Sequence, residues 1–382
     1  MVFRRYSQGA IFVLGGALLA ACSGGGQNAI SDPPHGAGAT AAGVAVASRL
    51  APHGGAGKVP RPAIAPPTCS GAGGFVGTGS SNVAALFASA VLGGNGNQAC
   101  DGESSIGGGS TNSISSSGGG SGSTDQFIGA GDSNVIDCTS SCEGNNGIVA
   151  GAGNLIDGGA ADSFIGSGVG NLVSSSFGVI GGGDGNSVAA IYGTIGGGDG
   201  NSVQSAAQLS SIGGGYKNVV SSVDSVIAGG EDNKASNSYA TVAGGAGNND
   251  SGEWGAMGGG LNNTVSNTYA TVSGGLGNVA NGSGGTVAGG ENNVAGGAQS
   301  FAAGYKANAA SSGSFVWSDS SSNNQTTTST ANEFVARTSG GVKFFSNSAM
   351  TTGVSLAAGG GTWSSLSDRN FKNNVTVLDD ES

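Results

Sequence analysis

Apolar positions in this chain recur with a fixed partner. An aliphatic residue is followed by glycines, and an asparagine comes six positions later. Ile180 precedes Asn186 and Ile195 precedes Asn201, each across the run Gly-Gly-Gly-Asp-Gly. Ile212 with Asn218, Ile227 with Asn233, Val242 with Asn248 and Met257 with Asn263 continue the series, as do Val272 with Asn278, Val287 with Asn293 and Ala302 with Asn308. From Asn186 onward each asparagine lies 15 residues after the last, except for one step of 17 at Asn218. Earlier copies at Ile106, Ile128, Ile148 and Ile165, paired with Asn112, Asn134, Asn154 and Asn171, are spaced by insertions, for about thirteen copies in all.

A short apolar strand, a glycine turn and a second short strand after Asn make one coil. Glycine supplies the left-handed or close-packed turn backbone. Asn tolerates the left-handed region and bonds to nearby backbone. One coil has too few apolar side chains for a core, so coils must stack and share one. The pattern predicts an all-β parallel solenoid with coils of about 15 residues. Such a core is thin, which favours association of chains.

Composition agrees. Glycine accounts for 80 of 382 residues, and only 9% of residues are charged. A net charge of −11 argues against nucleic-acid binding, which needs clustered cations. The two histidines, His35 and His53, fall in a proline-rich stretch, and no His/Cys cluster suggests a metal site. Repeated Gly-Asp turns suggest calcium only if Asp recurs. The equivalent positions hold Asp184, Asp199, Tyr216, Glu231, Ala246 and Leu261, so no metal and no cofactor is expected.

The ends carry separate signals. Arg4 and Arg5 precede an apolar run, Ala10 to Ala21, too short to span a bilayer. It ends Leu19-Ala20-Ala21-Cys22, which resembles a bacterial lipoprotein signal. That resemblance implies cleavage after residue 21, lipidation of Cys22 and, with Ser23 following, an outer-membrane or cell-surface location. Residues 22–67 form a Pro/Ala/Gly-rich linker. Cys69, Cys100, Cys138 and Cys142 remain, an even number that permits disulfides in an exported chain. Of three connectivities, Cys69–Cys100 with Cys138–Cys142 is favoured, because the latter two share one insertion; free thiols are the alternative.

With period and offset on the page, the pattern Ser-x-Ala-x-Gly-Gly-x-x-Asn resembles the head repeats of YadA-like trimeric autotransporter adhesins over about residues 100–310. Ser300-Phe301-Ala302-Ala303-Gly304-Tyr305-Lys306-Ala307-Asn308-Ala309 is similar to that family's final repeat. The resemblance implies a left-handed parallel β-roll, a homotrimer and binding to host matrix or cell surfaces. The family's coiled-coil stalk and membrane barrel are not seen, so the lipid at Cys22 would replace that anchor.

After residue 310 the composition changes. Ser314 to Asp319, then Glu333–Arg337 and Gly341–Phe345 around Ser339-Gly340-Gly341, resemble the neck of phage tail and surface fibres, with the last two segments read as paired strands. Ser365-Leu366-Ser367-Asp368-Arg369-Asn370-Phe371-Lys372 resembles the opening of the endosialidase-type intramolecular chaperone peptidase. That implies Ser367 as nucleophile and Lys372 as its base, with little cleavage expected because only 16 residues follow Leu366. The expected organisation is a signal at 1–21, linker 22–67, cap 68–105, head repeats 106–310, β neck 311–364 and the start of the chaperone at 365–382. The expected function is a lipid-anchored trimeric adhesin head. A self-cleaving fibre and a phage-derived structural spike are the rivals. Tyr192, Tyr239, Trp254 and Tyr269 are expected at coil edges, as structure or as contact area.

Overall fold

The computed structural model describes residues 73–116, 125–138 and 144–366. The chain divides into two units, Met1–Gly54 and Gly55–Ser382, and all described residues belong to the second. Among them every regular element is a strand. Strands alternate between two long parallel sheets, one of seventeen strands and one of sixteen, and a three-stranded antiparallel sheet closes the series. The protein is thus a parallel β-solenoid. At about 4.7–4.8 Å per step the larger sheet is roughly 75 Å long.

Most strands are two residues long, with the first half-exposed and the second buried, as in Val179–Ile180 and Ser187–Val188. Strict in-register pairing stacks like on like. Ile180 pairs with Ile165 and Ile195, and Val188 with Val173 and Val203. The core is therefore two aliphatic columns, one per sheet, buried along their length. The short apolar dipeptides read from the sequence are these strands.

The asparagines form a third column at the corner between the sheets. Asn186 is fully buried, and its environment repeats along the stack. Its backbone N–H and Nδ2 both donate to Asn171 Oδ1, at 3.0 and 3.2 Å. Nδ2 also reaches the carbonyls of Gly182 (3.0 Å) and Gly198 (2.9 Å). A fully buried amide is costly unless paired, and here its polar atoms are satisfied by neighbouring coils. A ladder of bridges between turn residues runs beside this column from Ser80 to Glu291. The glycines before each Asn are forced by contact. A Cβ at Gly183, at φ +99°, would lie 2.0 Å from the Gly198 carbonyl oxygen.

Three features differ from the sequence expectation. First, the stack is longer than 106–310. Phe75–Val76 pairs with Ala90–Val91, and that with Ser105–Ile106, so the expected cap is already coiled. At the other end Phe301–Tyr305 pairs with Phe315–Ser318, and that with Phe334–Arg337. Second, Asn308 is not in the Asn column. The coil from Ala302 is one residue shorter after a bulge between Val287 and Gly289, so Ala307 takes the buried place. The Ala307 N–H donates to Asn293 Oδ1 at 2.8 Å, while Asn308 turns outward to Gln325. Third, Glu333–Arg337 and Gly341–Phe345 do not pair as a hairpin. Phe334–Arg337 continues the solenoid. Val342–Phe345 instead pairs antiparallel with Gly353–Leu356, which pairs with Trp363–Leu366.

The solenoid end is held by one clasp. Arg337 Nε lies 3.2 Å from Asp319 Oδ1, the one ion pair among the described residues. The same guanidinium donates to the carbonyls of Asp319, Ser322 and Asn324. Hydrogen bonds from the Ser321 hydroxyl and then the Ser339 backbone N–H hold the Asp319 carboxyl well below the usual range.

Candidate binding surface

The corner opposite the Asn column turns through a residue in the left-handed region in coil after coil. Its backbone N–H bonds to the preceding coil, as Trp254 does to the Ser238 carbonyl at 3.1 Å and Tyr269 to Glu253 at 3.0 Å. Gly284 (φ +64°) and Gly313 (φ +67°) occupy this position further along. Between Phe177 and Tyr269, however, the position holds Phe177, Tyr192, Leu209, Asp224, Tyr239, Trp254 and Tyr269, all with φ between +52° and +61°. An L-residue pays about 1–2 kcal/mol for that conformation, and bulky residues seldom adopt it.

These side chains are exposed: Trp254 retains 47% of its surface and Tyr269 62%. Two neighbouring pairs of rings stack along the solenoid axis. Tyr239 and Trp254 lie 3.8 Å apart at 5°, and Phe177 and Tyr192 4.7 Å apart at 10°. Ring stacking contributes about 0.5–1.5 kcal/mol per pair, which offsets part of the backbone strain. The result is a discontinuous aromatic edge, interrupted at Asp224. The sequence reading placed Tyr192, Tyr239, Trp254 and Tyr269 at coil edges, and they are there. Phe177 and Leu209 on the same edge were missed. Their 15- and 17-residue offsets to Tyr192 and Asp224 were the available signal.

The other candidates are placed as follows. Asn186, Asn201, Asn218, Asn233, Asn248, Asn263, Asn278 and Asn293 are all fully buried, so they build the coil and are closed to ligands. Asn82 and Asn97 extend their column and were missed, although Val76 and Val91 precede them by the same six residues. Cys100 is disulfide-bonded. Cys69 and Cys142 lie outside the described residues, and of Cys138 only the backbone, paired with Ser116, is described. Cys22, Ser367 and Lys372 also lie outside the described residues.

Two carboxyls have raised pKa values. Burial, then the carboxylates of Asp157 and Asp101, push Asp137 up. Asp250 is the more unusual. It sits in the aliphatic column of the sixteen-stranded sheet, between Ala235 and Val265, fully buried. Its Oδ1 accepts from the Gly252 N–H at 3.1 Å, and Oδ2 has no hydrogen-bond partner. Burial pushes its pKa up to about 7. Among the described residues no group of His, Cys, Asp and Glu is arranged to hold a metal ion, and no helix is long and apolar enough to cross a membrane.

No protein-family model matches the chain, and no curated protein matches it either.

Proposed function

We propose that this protein is a surface-exposed fibre of several parallel chains that attaches to other surfaces through the aromatic edge between Phe177 and Tyr269. The observation that carries this reading is the choice of residue at a left-handed corner. Glycine fits there without strain and is used at Gly284 and Gly313. Bulky aromatic residues are retained instead, with their rings exposed. Strain kept at an exposed site is a mark of function, and Tyr and Trp are favoured where contact energy is concentrated. The chemistry is contact without turnover. In this proposal three chains assemble, Cys22 carries a lipid at the outer membrane, and residues 22–67 space the solenoid from the bilayer.

The test uses Gly, which the fold already accepts at this corner. Beads carrying the full chain, or its Tyr239→Gly/Trp254→Gly/Tyr269→Gly variant, are applied to surfaces coated with matrix proteins, with glycans or with whole cells. The expected result is at least a tenfold fall in bead retention, with the circular dichroism spectrum unchanged. Equal retention by both forms on every surface would overturn the assignment of the edge.

A further inference from the structure

The carboxy-terminal end of the solenoid bears a hollow of about 520 Å³ between two apolar faces. One wall is the outer face of the larger sheet, with Phe315, Trp317 and Phe334. The other is the three-stranded sheet, with Phe344, Leu356 and Trp363. The register places Val342, Leu356 and Trp363 in one row and Phe344 with Val354 in another row on the same face. Lys343, Ser355 and Ser364 form a row on the opposite face. The small sheet is therefore amphipathic, and its apolar side faces the gap. The walls do not close on each other: Phe334 remains 63% exposed and Trp363 53%. A small-molecule site carries a few polar groups that orient its ligand, but the six residues named here offer only the Trp N–H groups. Apolar side chains from a protein are the better fit.

The same chain presents such side chains nearby. The turn between Phe345 and Gly353 carries Met350 at its tip, 66% exposed and at φ +53°. Asn347 fixes this turn. Its Oδ1 accepts from the N–H groups of Thr351 (3.0 Å) and Thr352 (3.1 Å), and its Nδ2 donates to the Thr351 hydroxyl at 2.7 Å. Phe345 points away from the hollow, in the row with Gly353 and Leu366. Neither Phe345 nor Met350 lines the hollow. Charge favours contact here as well. In a chain of net charge −11, Lys343 is the one charged residue between Thr338 and Leu366, so like chains meet little repulsion at this end.

We infer that the hollow receives the Phe345/Met350 knob of a second copy of this chain. The contact is heterologous, groove on one copy and knob on the next, and closes into a ring when the rotation permits. It deepens the multi-chain reading proposed above and rests on it, but it does not depend on adhesion.

The experiment uses the full chain with Trp254→Phe, which leaves Trp317 and Trp363, both in the hollow, as the only tryptophans. Light scattering gives the mass and fluorescence reports the hollow across a dilution series. The expected result is a multi-chain species whose emission shifts to the red as it dissociates. A knob variant, Phe345→Lys/Met350→Lys, and a groove variant, Phe344→Lys, each fall to single-chain mass with unchanged circular dichroism. Mixing the two restores one knob–groove pair and gives a two-chain species. A single-chain wild type, or variants that keep the wild-type mass, would overturn the inference. So would a stop after Leu366 that alone shifts the emission at constant mass, since residues 367–382 would then occupy the hollow. Bead adhesion on the same samples separates failure here from failure of the proposed function.

Discussion

Asp250 makes stability depend on pH in a direction opposite to that of a paired carboxylate. Its ordinary value of 3.8 is raised to about 7 in the folded chain. The folded state therefore holds this proton more tightly than the unfolded state. Stability from this group is fully present below about pH 4, falls as pH rises towards 7, and stays low above that. About three pKa units at ~1.4 kcal/mol each give roughly 4 kcal/mol. Asp250→Val should remove this slope. Valine also fits, because Val188 packs against Gly193 (its Cγ1 2.8 Å from a Cβ placed there) as Asp250 packs against Gly255 (Oδ1 2.1 Å). Solenoids unfold in segments, so the assay is amide hydrogen exchange over residues 236–265 at pH 4.5 and 8, corrected for intrinsic rates. Taking the difference between variant and wild type cancels the effect of overall charge. The variant should gain several kcal/mol of local protection at pH 8 and much less at pH 4.5. Equal pH dependence in both proteins, or a less protected variant at pH 8, would refute the assignment of Asp250 as a buried acid held neutral.

Other perturbations have equally direct outcomes. Asn201→Ala leaves the Asn218 N–H and Nδ2 without their Oδ1 acceptor, and should cost about 2–5 kcal/mol, read as lost exchange protection from residue 186 to 218. Arg337→Ala opens the Asp319 clasp, and limited proteolysis should cut between residues 319 and 339 faster than in wild type. Because the Asp319 pKa is depressed, its contribution is present above the ordinary carboxylate range and lost as pH falls below it, so acidification should speed cutting there in wild type but hardly at all in the variant. Trp254→Gly alone exchanges strain relief of about 1–2 kcal/mol against a lost stack of about 0.5–1.5 kcal/mol, so thermal unfolding should move little; a large loss of stability would show that the ring is structural.

The solenoid was legible because its determinants are local and repeated. An aliphatic residue, a glycine turn and an Asn at a six-residue offset fix one coil, and repetition fixes the stack. The limits were harder to place. The copy at Val76 reads Val-Gly-Thr-Gly-Ser-Ser-Asn, with fewer glycines than the central copies, yet the offset alone sufficed to build the coil. Asn308 misled because the shortening lies upstream, at a bulge between Val287 and Gly289, which no residue type near Asn308 announces. The Val342–Phe345 strand was recognised as a strand, but its partner was not. Pairing across residues 346–352 depends on Asn347 closing a turn, and the Gly-Gly at 340–341 gave a stronger local turn signal. Asp250 was invisible in its role, since only the register shows that it stands in the place of a valine.

The Asn column also has a direction. Each asparagine donates towards its amino-terminal neighbour and leaves its own Oδ1 for the coil that follows. A finished coil thus offers a ready acceptor to the next stretch of chain, and offers it at one end. Insertions do not interrupt this: Asn134 lies 22 residues beyond Asn112 and still meets it at 3.1 Å. A chain synthesised from its amino terminus exposes these acceptors in the order in which later coils arrive, so each coil templates its successor. Growth stops being dictated this way where Ala307 replaces the amide, since its backbone N–H accepts the offer of Asn293 but makes none in return.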